Sequence, residues 1–246
     1  SADYSREYFT LNPKLTEIVY KTFYKMYDEG LVYRDKRIIN YCPDCKTALA
    51  DIDTEHEERR GIFAYIVYPF VEKENRKRAL EKFGVEGITV ATSRPETMLG
   101  DTAVAVNPDD ERYSEFVGKK LLLPIANREI PVIEDEEVDM EVGTGAVKVT
   151  PAHSPVDFEI GVRHDLDVVN VISEEAKMEG EIPERFLGMG SVECSKALCS
   201  ELDDLELLTD IQNIKHEVAV CERCRTPIEP LISNQWYVNV ETLAKE

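Results

Sequence analysis

The sequence predicts an α+β fold, a barrel-like and strand-rich middle domain inserted through a four-cysteine metal knuckle. Three observations carry that expectation. Short runs of β-branched and aromatic residues recur through the middle of the chain with few helical stretches between them. One amphipathic helix stands near the N-terminal end. Two Cys-x-x-Cys pairs, Cys42-Pro-Asp-Cys45 and Cys221-Glu-Arg-Cys224, bracket nearly everything else.

The first helix has its signals in order. Asn12 can cap it and Pro13 fits its first turn. Leu15, Ile18, Val19, Phe23 and Met26 recur on one face until Gly30 ends it. Residues 31–33 and 37–41 read as short strands leading to the first cysteine pair, and the charged run 51–60 as a ribbon leading outward. Strands are expected at 62–68, 88–91, 103–106, 119–123, 129–133 and 146–150, and helices at 155–164 and 191–202. Residues 215–220 return to the second cysteine pair, and 228–240 read as a strand that leaves it. The expected division is a helix with the first half of a ribbon (1–59), a middle domain (60–214), and the other half of the ribbon with a departing strand (215–246).

Two residues between thiolates let both sulfurs of a pair reach one tetrahedral ion. Two such pairs complete a closed structural zinc site, so Cys42, Cys45, Cys221 and Cys224 are the expected ligands. A disulfide framework fits less well, because no secretory leader or membrane-spanning run is evident and Cys194 and Cys199 are spaced like helix residues. A reducing, cytoplasmic compartment is the expectation.

With 43% hydrophobic and 32% charged residues, the chain reads as soluble and globular, large enough for one large or two modest domains. A formal net charge of -20 excludes a nonspecific nucleic-acid binder, so any polyanionic partner must be gripped locally. The one basic cluster, 73–82, is interleaved with Glu74 and Glu81 and reads as a solvated helix face.

No nucleophile motif is present: Gly-x-Ser-x-Gly is missing, and Gly143-Thr-Gly145 with Lys148 is a tight turn and not a Walker loop. Lys148 and Thr150, two apart on a strand, share one face. Ser154-Pro155-Val156-Asp157 has the form of a helix cap. His153 alone among the four histidines sits in a dense polar motif. These residues by themselves leave the function open.

Three longer segments narrow it. Ala91-Thr-Ser-Arg-Pro-Glu-Thr-Met-Leu-Gly-Asp-Thr-Ala-Val-Ala-Val-Asn-Pro108 resembles the threonine-rich peptide of the editing (CP1 insertion) domain of valyl-tRNA synthetases, in the class I aminoacyl-tRNA synthetase family. Gly143-Thr-Gly-Ala-Val-Lys-Val-Thr-Pro-Ala-His153, followed by Asp157, resembles that domain's second signature. Ile228-Glu-Pro-Leu-Ile-Ser-Asn-Gln-Trp-Tyr-Val238 resembles the strand by which the chain re-enters the synthetase core. The ATP-site signatures His-Ile-Gly-His and Lys-Met-Ser-Lys-Ser occur nowhere. The resemblance therefore implies a proofreading deacylase of threonyl-tRNA(Val) that does not itself activate an amino acid. It implies structural zinc as the cofactor. The partners it implies are the threonine-charged acceptor end of tRNA(Val) and the rest of the synthetase in cis, with no membrane and no DNA.

By matching positions, Asp157 would hold the substrate ammonium, and Lys148 and Thr150 would serve the catalytic centre, Lys148 offsetting phosphate or oxyanion charge. Thr92, Ser93, Arg94, Thr97, Val142, Gly143, His153 and Ser154 would line the pocket. This chain departs from the pattern at Ser154, where many relatives carry aspartate, at Ser93 for a frequent threonine, and at Val142 for a phenylalanine in some. The alternative is a zinc-ribbon module that docks tRNA without hydrolysing anything; deacylation activity separates the two.

Overall fold

The computed structural model describes residues 4, 5 and 7–244. They fall into two compact units, one from the described parts of Ser1–Arg37 and Ser233–Glu246, the other Ile38–Ile232. In chain order the elements are α1 (Pro13–Asp28), β1 (Val32–Cys42), β2 (Thr47–Leu49), β3 (Thr54–Pro69), α2 (Lys73–Phe83), β4 (Gly87–Thr92), β5 (Ala103–Val106), β6 (Lys120–Leu123), β7 (Arg128–Glu134), β8 (Ala146–Val149), α3 (Pro155–Arg163), α4 (Ser191–Asp204), β9 (Leu208–Cys221), β10 (Glu229–Val238) and α5 (Val240–Leu243).

In the smaller unit α1 starts as its residues dictate: the Asn12 side chain accepts from the Lys14 amide at 3.0 Å, and Pro13 occupies the first helical position. Its apolar stripe is not buried within the chain, Ile18 and Val19 being 58% and 61% exposed. Phe23 packs edge-on against Trp236 at 5.2 Å between ring centroids. The two short strands expected before the first cysteine pair are one strand, β1, because nothing at Asp35-Lys36 breaks an extended backbone.

In the larger unit the charged run 51–60 is mostly the first half of β3, and residues 215–221 are the second half of β9. They pair antiparallel from Thr54↔Cys221 to Gly61↔Ile214 and onward into the core. The β3 half of this ribbon is polar on both faces, with Lys215 meeting Glu58 across it at 2.6 Å, whereas β9 becomes apolar at Val218, Ala219 and the buried Val220 as it nears the cysteines. Beyond Gly61 the same strand turns apolar, and Ile66, Tyr68 and Phe70 join Ile88, Met98, Leu99, Phe116, Leu121 and Phe186 in a fully buried core. Phe70 stacks on Phe116 at 4.8 Å. Burying side chains of this size stabilises by roughly 1.5–3 kcal/mol each.

The α+β, strand-rich class is as expected, but among the described residues no barrel closes. The strands form three open sheets, ordered β10-β1-β2, β4-β3-β9 and β6-β7-β5-β8, the last with β5 and β7 parallel. Where a barrel would join β4 to β8, the Thr144 hydroxyl donates to the Thr89 carbonyl at 2.6 Å instead of a backbone ladder forming. The basic cluster is α2, whose Arg78 and Lys82 pair with Glu74 and Glu115 at 2.5 and 2.8 Å, as a solvated face would. Among the described residues no helix is long and apolar enough to cross a membrane.

A buried lysine-aspartate cluster and a four-cysteine centre

Strand β8 delivers Lys148 into the interior with its side chain 8% exposed. Its ammonium donates to Thr97 Oγ1 at 2.7 Å, Thr150 Oγ1 at 2.7 Å and Asp101 Oδ1 at 3.2 Å, which uses all its donors. The Thr150 hydroxyl in turn donates to Asp101 Oδ1 at 2.5 Å, and Tyr68 donates to Asp101 Oδ2 at 2.7 Å. Burial raises the Asp101 pKa despite the opposing Lys148 charge and the Thr150 and Tyr68 hydroxyls. Burial, with the Asp101 charge adding, also pushes the Tyr68 phenol well above its ordinary value. The shared face inferred for Lys148 and Thr150 is real, although Thr150 lies just beyond the last paired residue of β8.

Asp157 joins this cluster through the backbone. Its Oδ2 accepts the Thr150 amide at 2.8 Å and its Oδ1 accepts the Ser154 hydroxyl at 3.0 Å. Ser154 is the N-cap of α3, and its Oγ accepts the Asp157 amide at 3.3 Å. The carboxylate thus closes the turn between β8 and α3, and each oxygen keeps a lone pair for another donor.

Arg94 opens the tight turn Pro95–Gly100. Its amide donates to Thr92 Oγ1 at 3.0 Å, and its carbonyl accepts the Thr97 hydroxyl at 3.0 Å. The guanidinium donates to Glu96 at 2.9 Å through Nε and to Glu229 at 2.6 Å through Nη2. Desolvation alone would lower its pKa, but Glu229 and Glu96 more than reverse that.

His153 is a buried prop, 3% exposed, whose Nε2 accepts the Val171 amide at 3.0 Å. Burial first, then the Arg94 charge, push its pKa down to about 3, so the ring is neutral. The Pro230 carbonyl opposes this shift without closing a hydrogen bond to Nδ1. Gly143, at φ +62°, crosses β4 so closely that a Cβ there would lie 2.9 Å from the Ala91 Cβ. Val142 is 56% exposed, and Ser93 is exposed. The fold therefore links Thr92, Arg94, Thr97, Lys148, Thr150, Ser154 and Asp157 in one hydrogen-bonded set, sets Gly143 against β4, and leaves Ser93 and Val142 open to solvent.

Asp101, Glu96 and Glu229 are missing from the residues read as functional. Asp101 had a signal: an acid between Leu99-Gly100 and the run Thr102–Val106 needs a partner if that run is buried. Glu229 had none, since nothing local ties the start of β10 to Arg94.

At the other end of the β3–β9 ribbon, one ligand atom from each of Cys42, Cys45, Cys221 and Cys224 lies within 4.8 Å of the others. Lys46 and Arg225, each directly after a pair, adopt left-handed backbone (φ 52° and 64°), so both pairs end in the same kind of tight turn. The Cys45 amide donates to Cys42 Sγ at 3.3 Å. Tetrahedral thiolates at about 2.3 Å from an ion sit roughly 3.8 Å apart, so this cluster can hold a metal ion.

Sequence similarity places the chain in a family. The model for class I tRNA synthetases (I, L, M and V) matches residues 1–246. The chain is 47% identical over its whole length to a valine-tRNA ligase of Clostridium tetani, covering 26% of that protein. It is 49% identical to the valine-tRNA ligases of Carboxydothermus hydrogenoformans and Geobacter sulfurreducens, again across the full chain and 26% of each relative. A chain that spans about a quarter of the relatives it matches, and matches them end to end, belongs to the class I tRNA synthetases as a segment of the valine-tRNA ligase type.

Proposed function

We propose that this segment is the proofreading part of a valine-tRNA ligase and hydrolyses the ester of mischarged threonyl-tRNA(Val). Residues 60–214 are its editing domain, and 1–59 with 215–246 are the stem and the connections to the rest of the synthetase in cis. The reading is carried by one observation: Thr97, Lys148 with Thr150, and Asp157 converge from three chain segments on a single buried polar cluster. Editing answers a physical limit. A hydrophobic valine pocket rejects threonine by only about 10²-fold, this pair being itself the standard illustration.

In the proposed reaction water attacks the ester carbonyl, the bond to the ribose oxygen breaks, and free threonine and tRNA leave. An aminoacyl ester is already activated, so positioning and charge stabilisation suffice. Asp157 takes the substrate ammonium on its remaining lone pairs, while Lys148 supplies positive charge from a fixed position. We assign zinc to Cys42, Cys45, Cys221 and Cys224; four thiolates leave it no open coordination position, so its part is structural.

The test is single-turnover hydrolysis of threonyl-tRNA(Val) against valyl-tRNA(Val). Faster threonyl release is expected, whereas tRNA binding without hydrolysis would replace this reading with a docking module. Asp157→Asn should slow threonyl release at least about tenfold, since a charge-assisted hydrogen bond is worth about 1.5–3 kcal/mol. If Asp157 only braces the β8–α3 turn, the variant melts lower but the folded protein keeps its rate. Thr97→Ala should lower the threonyl-to-valyl rate ratio by roughly tenfold, the size of one hydrogen bond at about 1.4 kcal/mol. An unchanged ratio removes Thr97 from side-chain selection.

A further inference from the structure

The first residue of β10 reaches the same cluster from the far end of the sequence. Glu229 is 7% exposed, and its Oε2 lies 2.6 Å from Arg94 Nη2. Glu96 Oε1 takes Arg94 Nε at 2.9 Å from a second direction. Each carboxylate is steadied from α4, Glu96 by Ser195 at 2.5 Å and Glu229 by Ser191 at 3.4 Å. Two buried acids on one guanidinium exceed what neutralising it requires. What they fix is orientation, because a planar fork held at Nε and at Nη2 has no rotational freedom left.

The remaining nitrogen, Nη1, has no partner among the described residues, yet it is not one of the buried polar atoms left unsatisfied. It therefore retains access to solvent, in keeping with a side chain still 32% exposed. Through its carbonyl, Arg94 also anchors Thr97, whose hydroxyl accepts from Lys148. A continuous bonded path thus runs from the start of β10 through Arg94, Thr97 and Lys148 to Thr150, and by the Thr150 amide to Asp157.

We infer that Glu229 is a positioning residue for the editing site, aiming Arg94 so that Nη1 receives an anionic or carbonyl oxygen of the tRNA acceptor end. The inference rests on the proposed deacylation. It makes the start of β10, which lies outside the 60–214 domain, a working part of the site.

The experiment is a double-mutant cycle in the 246-residue chain, with Glu229→Gln, Arg94→Ala and the pair, assayed on threonyl-tRNA(Val). Glu229→Gln should raise KM about five- to tenfold with kcat changed less than about twofold. It should add nothing in the Arg94→Ala background, and Glu229→Asp should recover part of the loss. A wild-type KM in Glu229→Gln, a loss confined to kcat, or penalties that multiply in the double variant would overturn the inference. Should Glu229→Gln melt below the assay temperature, the Glu229→Asp and Ser191→Ala variants carry the same cycle. If the unmodified chain does not hydrolyse threonyl-tRNA(Val), the deacylase reading fails on its own. Binding of uncharged tRNA(Val) across the same four proteins then decides Glu229, with unchanged affinity in Glu229→Gln counting against it.

Discussion

Replacing Lys148 with methionine is expected to destabilise the larger unit by about 3–5 kcal/mol at neutral pH, because it strands Asp101 as an unpaired carboxylate at 0% exposure. Methionine matches the lysine stem in length, so the loss comes from charge and not from a cavity. The deficit should depend on pH in a definite direction. Burial already holds the folded-state pKa of Asp101 above its unfolded value, so the folded protein binds this proton more tightly. The favourable contribution is complete below the unfolded pKa and is lost as pH rises through the folded one. Removing Lys148 lifts the folded value further and widens that window upward. The gap between variant and parent should therefore shrink as the pH falls from about 7 to about 5. Urea melts of both proteins at the two pH values measure it. A Lys148→Met protein within about 0.5 kcal/mol of the parent at pH 7 would mean that the pair contributes nothing beyond packing.

Cys221→Ser is expected to empty the four-cysteine centre. Cys42 and Cys221 are wholly buried, and among the described residues their cluster packs only Leu49, Ile228, Ala219 and Cys224 around them, too little apolar surface to hold this end of the ribbon alone. Structural zinc sites supply apparent binding energies of about 10–16 kcal/mol in small domains, so loss of one thiolate should register as loss of local order. Native mass spectrometry should find one zinc per parent chain and none in the variant. Amide exchange should rise in the β1–β2 hairpin and around 220–227, while the buried half of β3 stays protected by its core. A parent protein without zinc, with four freely titrating thiols and the same exchange pattern as the variant, would refute the centre.

The elements were legible in the sequence wherever a local signal set them. Asn12-Pro13 and Ser154-Pro155 start α1 and α3 because capping and the fixed φ of proline act over two or three residues. The runs at 103–106, 129–133 and 146–149 are strands because β-branched residues favour extended backbone, and 103–106 is buried on both faces. The spacing of the cysteine pairs was enough to foresee four sulfurs in one place, since metal-ligand geometry is local within each pair. The charged run before Gly61 was harder: that half of β3 has no apolar alternation, and only pairing with β9 makes it a strand.

What tertiary structure alone decided is how the sheets end and which charges meet. Sheet closure depends on whether β4 finds β8, and the Thr144 hydroxyl on the Thr89 carbonyl answers that with a contact between residues far apart in the chain. Likewise, Lys148 as a surface lysine and Lys148 as a buried partner of Asp101 have the same local sequence. The first needs water and the second needs a carboxylate brought within 3.2 Å by a different segment, the turn that precedes β5. Arg94 and Glu229 repeat the lesson at greater range. Hydrophobic period and turn chemistry act between neighbours and can be read from residues in order, whereas the pairing of buried charges is fixed only when the core has closed around them.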